Sequence, residues 1–205
     1  MKSIFHKPAL SASVSILVST IVALTIASSA IAALKEGQTA PEFTTQASFS
    51  GKAYSYSLKE QLKKGTVVVY FYPSAYTNGC NIQAHSFAES AEKFKAAGAS
   101  IVGVSLDSIE RLNDFSADPD FCAGKISVAS DADGKIAKSY ELTIREAQAG
   151  RKDSRGKDLD HGFAERTTFI ITPDGKINAT VGGVSPFENV EKSLAIVQKI
   201  AAKKS

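Results

Sequence analysis

The run TVVVYFY, residues 66–72, limits the folds open to this chain more than any other segment. It is almost wholly β-branched or aromatic, the composition of a strand covered on both faces. A sheet buried that way needs helices on each side, so an α/β layer structure follows. The rest of the chain supplies them. A short hairpin over residues 47–56 turns at Ser50-Gly51-Lys52, and Ser57-Leu58-Lys59-Glu60 is a capping box that opens a brief helix. A helical pattern spans residues 80–97, with Ile82, Phe87, Ala91 and Phe94 expected on its inner side and Gly98 at the position after its C-cap.

Residues 99–106 read as a second buried strand, 108–115 as a helix ending before Asp118-Pro119, and 126–129 as a short third strand. A further helix runs through Tyr140. The charged segment of residues 145–160, which contains RKDSRGKD, alternates in sign and is expected to be a solvated loop. Residues 166–172 form a fourth strand, which Pro173-Asp174-Gly175-Lys176 turns back into residues 177–181. Ser185-Pro186-Phe187-Glu188 caps a final amphipathic helix to about Ala202. The order predicts one α/β sandwich with a central mixed β-sheet flanked by helices and an antiparallel hairpin at one side.

The N-terminus reads differently. Lys2 and Lys7 precede an apolar stretch at residues 14–27, and Ala30-Ile31-Ala32 supplies a small-x-small cleavage pattern. Residues 1–32 are therefore expected to be a signal peptide and residues 33–205 the folded domain. The alternative, an uncleaved anchor, needs about 20 apolar residues, and this stretch is shorter and contains Ser and Thr. Export to the periplasm, with no stable membrane association after cleavage, is the expectation. Removing Lys2 and Lys7 from 24 basic and 21 acidic residues leaves a nearly neutral domain. Nucleic acid is a poor partner for such a surface.

Only Cys80 and Cys122 carry thiols. In an exported chain a structural disulfide is the bland reading. Cys80, however, follows the buried strand through the loop PSAYTNG and falls in the first turn of the predicted helix, where unpaired amides and the helix dipole favour an anion. The thiolate is the reactive form of cysteine. Thr77 is spaced to aim a hydroxyl at the sulfur, and Pro73 to shield it.

Pro73-x-x-x-Thr77-x-x-Cys80 after Phe71-Tyr72 closely resembles the peroxiredoxin active-site motif. Gly37-Gln38-Thr39-Ala40-Pro41-Glu42-Phe43, the segment IVGVSLD at residues 101–107, and Glu165-Arg166-Thr167-Thr168-Phe169-Ile170-Ile171 with Pro173-Asp174-Gly175-Lys176 resemble further segments of that family. The likeness is greatest to the monomer-prone, bacterioferritin-comigratory type. It implies a thioredoxin-like fold and a peroxidase acting on hydrogen peroxide and organic hydroperoxides. It also implies an external thiol reductant, a monomer or weak homodimer, and no cofactor or metal. By the same resemblance Cys80 is the peroxidatic nucleophile, Arg166 the active-site arginine, and Thr77 and Pro73 the shapers of the peroxide site.

Departures from the family pattern are informative. Gln83 stands where a glutamate is common and is expected to orient Arg166 through its carbonyl; His85 stands where a resolving cysteine is common. By resemblance to relatives that carry a resolving cysteine in the later helix, Cys122 is the favoured resolving residue, closing an intramolecular disulfide with Cys80; a one-cysteine mechanism, an intermolecular bridge or a resting disulfide are the alternatives. His85 and His161 read as ordinary polar residues. Three other readings compete: a thioredoxin-fold disulfide oxidoreductase, weakened because Gln83 stands where a CxxC motif has its second thiol, a copper-binding module, and a catalytically inert scaffold.

Overall fold

The computed structural model describes residues 1–2 and 33–203. The chain divides into two units, Met1–Ala30 and Ile31–Ser205, and every element below belongs to the second. The signal-peptide expectation lies, apart from its first two residues, outside the described residues. No helix among the described residues is long and apolar enough to cross a membrane.

In chain order the elements are β1 (Thr44–Phe49), β2 (Lys52–Ser57), α1 (Leu58–Leu62), β3 (Thr66–Phe71), α2 (Asn78–Ala96), β4 (Ala99–Ser105) and α3 (Ile109–Ala117). There follow β5 (Ser127–Ser130), α4 (Lys135–Ser139), β6 (Ile144–Arg145), β7 (Phe163–Ala164), β8 (Thr167–Ile171), β9 (Ile177–Gly182) and α5 (Pro186–Ala202). Seven strands form one mixed sheet in the order β2-β1-β5-β4-β3-β8-β9, and β6 pairs only with β7. The three central strands β5, β4 and β3 are parallel, so α2 and α3 serve as crossovers. The two hairpins add antiparallel strands at either side. This is the α/β sandwich expected, with a small two-stranded addition that no local pattern announced.

All of β3 is buried, and its two faces serve two cores. Val67, Val69 and Phe71 pack with Leu58, Leu62 and Tyr140 on the α1 and α4 side. Val68, Tyr70 and Tyr72 pack with Phe87, Leu112, Phe115 and Val197 on the α2, α3 and α5 side. In both capping boxes the serine half forms: Ser57 Oγ accepts from the Glu60 amide at 3.4 Å and Ser185 Oγ from the Glu188 amide at 3.2 Å.

One expectation for α2 is corrected. Ile82 is 51% exposed, whereas Gln83, one residue on, is fully buried. Gln83, Phe87 and Phe94 share the inward stripe with Cys80, and Ile82 is rotated by about 100° from that stripe. Hydropathy alone picks Ile82; the buried hydrogen bonds described below draw Gln83 inward.

Tyr70 lies directly opposite Gly103 in the β3–β4 register, and its ring fills the space a side chain there would take. A Cβ on Gly103 would stand 2.5 Å from Tyr70 Cζ. Gly103→Ala is expected to destabilise the domain by about 1–3 kcal/mol, as overpacked cores do, read as a lower midpoint in urea at unchanged slope.

Candidate active site

The site follows from strand register. β8 runs antiparallel to β3 with Thr167 opposite Phe71, so Arg166, one residue before β8, arrives where β3 ends. The chain leaving β3 makes the loop 72–77 and enters α2, whose N-cap is Thr77 in an extended conformation. Cys80 is thus the third residue of α2, at the carboxyl edge of a parallel sheet, where α/β proteins place their ligands. Its own amide is bonded to the Thr77 carbonyl at 2.9 Å, and the helix start brings the positive end of α2 to the sulfur.

Arg166 completes the contact. Its Nη2 donates to Cys80 Sγ at 3.3 Å, while Nη1 donates to Gln83 Oε1. One guanidinium fork thereby spans two residues a helical turn apart. Gln83 is held in turn: its Nε2 donates to Asn189 Oδ1 at 3.0 Å, and Asn189 Nδ2 donates to the Val181 carbonyl at 3.0 Å. Thr168 Oγ1 also donates to Asn189 Oδ1, at 2.6 Å. Gln83 therefore orients the arginine through its carbonyl, as expected, and α5 joins the site through Asn189. Gly79 makes room, since a Cβ there would lie 3.2 Å from Arg166 Nη2 and 3.3 Å from Pro186 Cγ.

Thr77 differs in detail from the sequence reading. Its hydroxyl donates to the Ser74 carbonyl at 2.9 Å, and no hydrogen bond runs from it to the sulfur. With its proton committed inward, that oxygen can only accept from an incoming group. Pro73, Thr77, Asn78, Gly79 and Arg166 line a cleft of about 450 Å³ together with residues 151–154.

Cys122 is elsewhere in the same core. Both cysteines are free and buried, and both pack in the cluster around Tyr70 and Tyr72. Burial, with Asp118 adding to it, pushes the Cys122 thiol far above its ordinary pKa, so in this conformation it is a protonated thiol. It sits in the turn after α3, followed by Ala123 and Gly124 with φ of 52° and 65°. His85 ties that turn to α2, its Nδ1 lying 2.9 Å from the Asp120 carbonyl oxygen, while its Nε2 is 3.3 Å from Glu89. The histidine is exposed and polar, as expected.

The charged segment is exposed along most of its length, as expected, and the second correction is confined to Asp153, which is buried. It pairs with Arg111 at 2.7 Å and with Arg155 at 3.3 Å, and accepts from the Arg155 and Lys157 amides at 2.8 and 2.9 Å. His161 also has a defined place: its Nε2 is 2.9 Å from Asp107 Oδ1 and its Nδ1 2.8 Å from the Gly162 carbonyl oxygen. Ser74, His161 and Asp107 lie together but do not form a hydrolytic triad. Ser74 Oγ donates straight to Asp107 Oδ1 at 2.7 Å, and the same imidazole nitrogen faces both groups.

Comparison with known proteins fits this geometry. Residues 37–180 match the AhpC/TSA family. The chain is 30% identical over 173 residues to a chloroplastic peroxiredoxin Q of Sedum lineare, covering 84% of this chain and 82% of that one. It is 31% identical over 144 residues to peroxiredoxin Bcp of Escherichia coli K12, covering 70% and 83%. Among solved structures, peroxidoxin BcpB of Mycobacterium tuberculosis superposes with a TM-score of 0.66 at 28% identity, over 82% of this chain and 98% of that one. The shared fold is the thioredoxin-like sandwich.

Proposed function

Because the chain belongs to the AhpC/TSA family of thiol-dependent peroxidases, we propose that Cys80 is its peroxidatic nucleophile and Cys122 its resolving cysteine. The observation that carries the first assignment is the 3.3 Å contact from Arg166 to a sulfur in the first turn of α2. A fixed cation and a helix terminus favour negative charge at that point. The peroxide enters the cleft beside Pro73, with Thr77 accepting its hydroxyl proton in a hydrogen bond and Arg166 donating to its oxygens. The Cys80 thiolate attacks the distal oxygen. An S–O bond forms as the O–O bond breaks, sulfur is oxidised to the sulfenic acid, and the other oxygen leaves as water or an alcohol after taking a proton. The in-line geometry and the charge on the leaving oxygen are what the arginine and the first-turn amides serve.

Resolution needs movement. The Cys122 thiol is fully buried and protonated, so the turn after α3 must open and the thiol lose its proton before it can attack the sulfenic sulfur. That attack forms the S–S bond and releases water; an external thiol reductant then returns both cysteines to thiols. We also read the protein as exported, and as a monomer or weak dimer. The first rests on the charged, apolar and small-residue pattern of residues 1–32, and the second on the resemblance of its motifs to the monomer-prone type.

Treating the reduced protein with one equivalent of hydrogen peroxide and mapping its thiols by peptide mass spectrometry tests both assignments. A Cys80–Cys122 disulfide within seconds is expected. Sulfenic or sulfinic acid on Cys80 beside a free Cys122 would transfer resolution to an external thiol, and two unreacted thiols would remove the peroxidase assignment of this site. In Cys122→Ser, the first turnover with peroxide is expected at its normal rate, with Cys80 then accumulating as sulfinic acid under excess peroxide.

A further inference from the structure

Tyr76 stands immediately before Thr77 and adopts φ of 60°, a left-handed conformation that bulky residues seldom hold without support. The support is visible on each neighbouring group. The Ala75 amide donates to Asp107 Oδ2 at 2.8 Å, and the Ala75 carbonyl accepts from Arg111 Nη2 at 2.8 Å. The Tyr76 carbonyl accepts from the Ser154 amide at 2.8 Å, and the Arg155 guanidinium lies 3.2 Å above the Tyr76 ring centroid. Half of this support comes from residues 151–161, a strap whose first four residues also line the peroxide cleft together with Thr77.

The strap is attached through two charged contacts to the residues that hold Ala75. Asp153 pairs with Arg111, and His161 bridges Asp107 and the Gly162 carbonyl. Both imidazole nitrogens thus face acceptors, an arrangement satisfied only by the doubly protonated ring. The groups around the ring are the Asp107 carboxylate from the end of β4, Arg111 from α3, the Ser74 hydroxyl and the Phe163 ring.

We propose that residues 151–161 are a proton-dependent clasp on the catalytic loop, in which charged His161 acts as a positioning residue: it holds the strap against Asp107 so that Tyr76 stays left-handed and Thr77 faces the peroxide. This rests on the peroxidase reading of the cleft. Burial works against charge on His161 and Arg111 adds to that, yet Asp107 and the Gly162 carbonyl outweigh both and raise its pKa above the usual value. A raised folded-state pKa means the clasp's contribution is complete below the unfolded value of about 6.5 and is lost as pH rises through the folded value.

The full-length protein and its His161→Gln and Arg155→Ala variants, all reduced, provide the test. Hydrogen exchange corrected for intrinsic rates would be compared at about pH 6 and at a pH above the His161 midpoint, which an NMR titration of its imidazole locates, beside the second-order rate constant with hydrogen peroxide. At low pH His161→Gln is expected to lose protection in residues 75–77 and 151–161 and to react roughly three- to tenfold more slowly than wild type, the worth of one hydrogen bond. That ratio should approach one at high pH. Arg155→Ala should be slower by a similar factor at both pH values, since its contact with Tyr76 does not titrate. A rate ratio flat with pH, or protection that neither pH nor the histidine changes, would overturn the clasp while peroxide is still consumed. A wild-type protein that consumes no peroxide would overturn the peroxidase reading and the clasp's catalytic role together.

Discussion

Cys80→Ser is expected to lose at least about 10³-fold in the rate of peroxide consumption, because an alcohol in the same place is a far weaker nucleophile toward oxygen. Peroxide disappearance under single-turnover conditions measures it, with the other cysteine left in place as an internal control. The substitution exchanges one buried atom of the core for another that can still accept from Arg166, so the thermal midpoint should move little. A variant that still turned over at a tenth of the wild-type rate would mean that Cys122, or no cysteine, carries the chemistry.

Arg166→Ala is the second large effect. The guanidinium is the cation that touches the sulfur, and it stands where charge develops on the leaving oxygen. Loss of one such preorganised donor costs about 10²–10³-fold. Arg166→Lys should recover little of this, since an ammonium cannot donate in two fixed directions to Cys80 and Gln83 at once. Stopped-flow mixing of the reduced variants with peroxide reads the rate constant directly. Near-wild-type rates in the lysine variant would show that charge alone matters and that the fork to Gln83 is incidental.

What the sequence made legible is what neighbouring residues determine among themselves. The run at residues 66–72, the two capping boxes and the Pro173-Asp174-Gly175-Lys176 turn specify their own conformations, and each appears where its pattern put it. The loop to Cys80 is legible for the same reason. The features that were missed depend on partners far along the chain. Gln83 turns inward for Arg166 and Asn189, and Asp153 is buried for Arg111, 42 residues earlier. A carboxylate neutralised by so distant a cation leaves no local period, so alternating charges read as a solvated loop. Arg166 itself was found only through a family resemblance; its 86-residue separation from Cys80 has no signature in spacing.

The seclusion of Cys122 also makes this residue an observer of its own protein. A thiol with no accessible surface is alkylated only during excursions of the turn that carries it, so the rate of labelling by a bulky maleimide counts those excursions. In Cys80→Ser no other cysteine competes, and the labelling clock then reports how often the folded chain exposes the second sulfur before any oxidant is present.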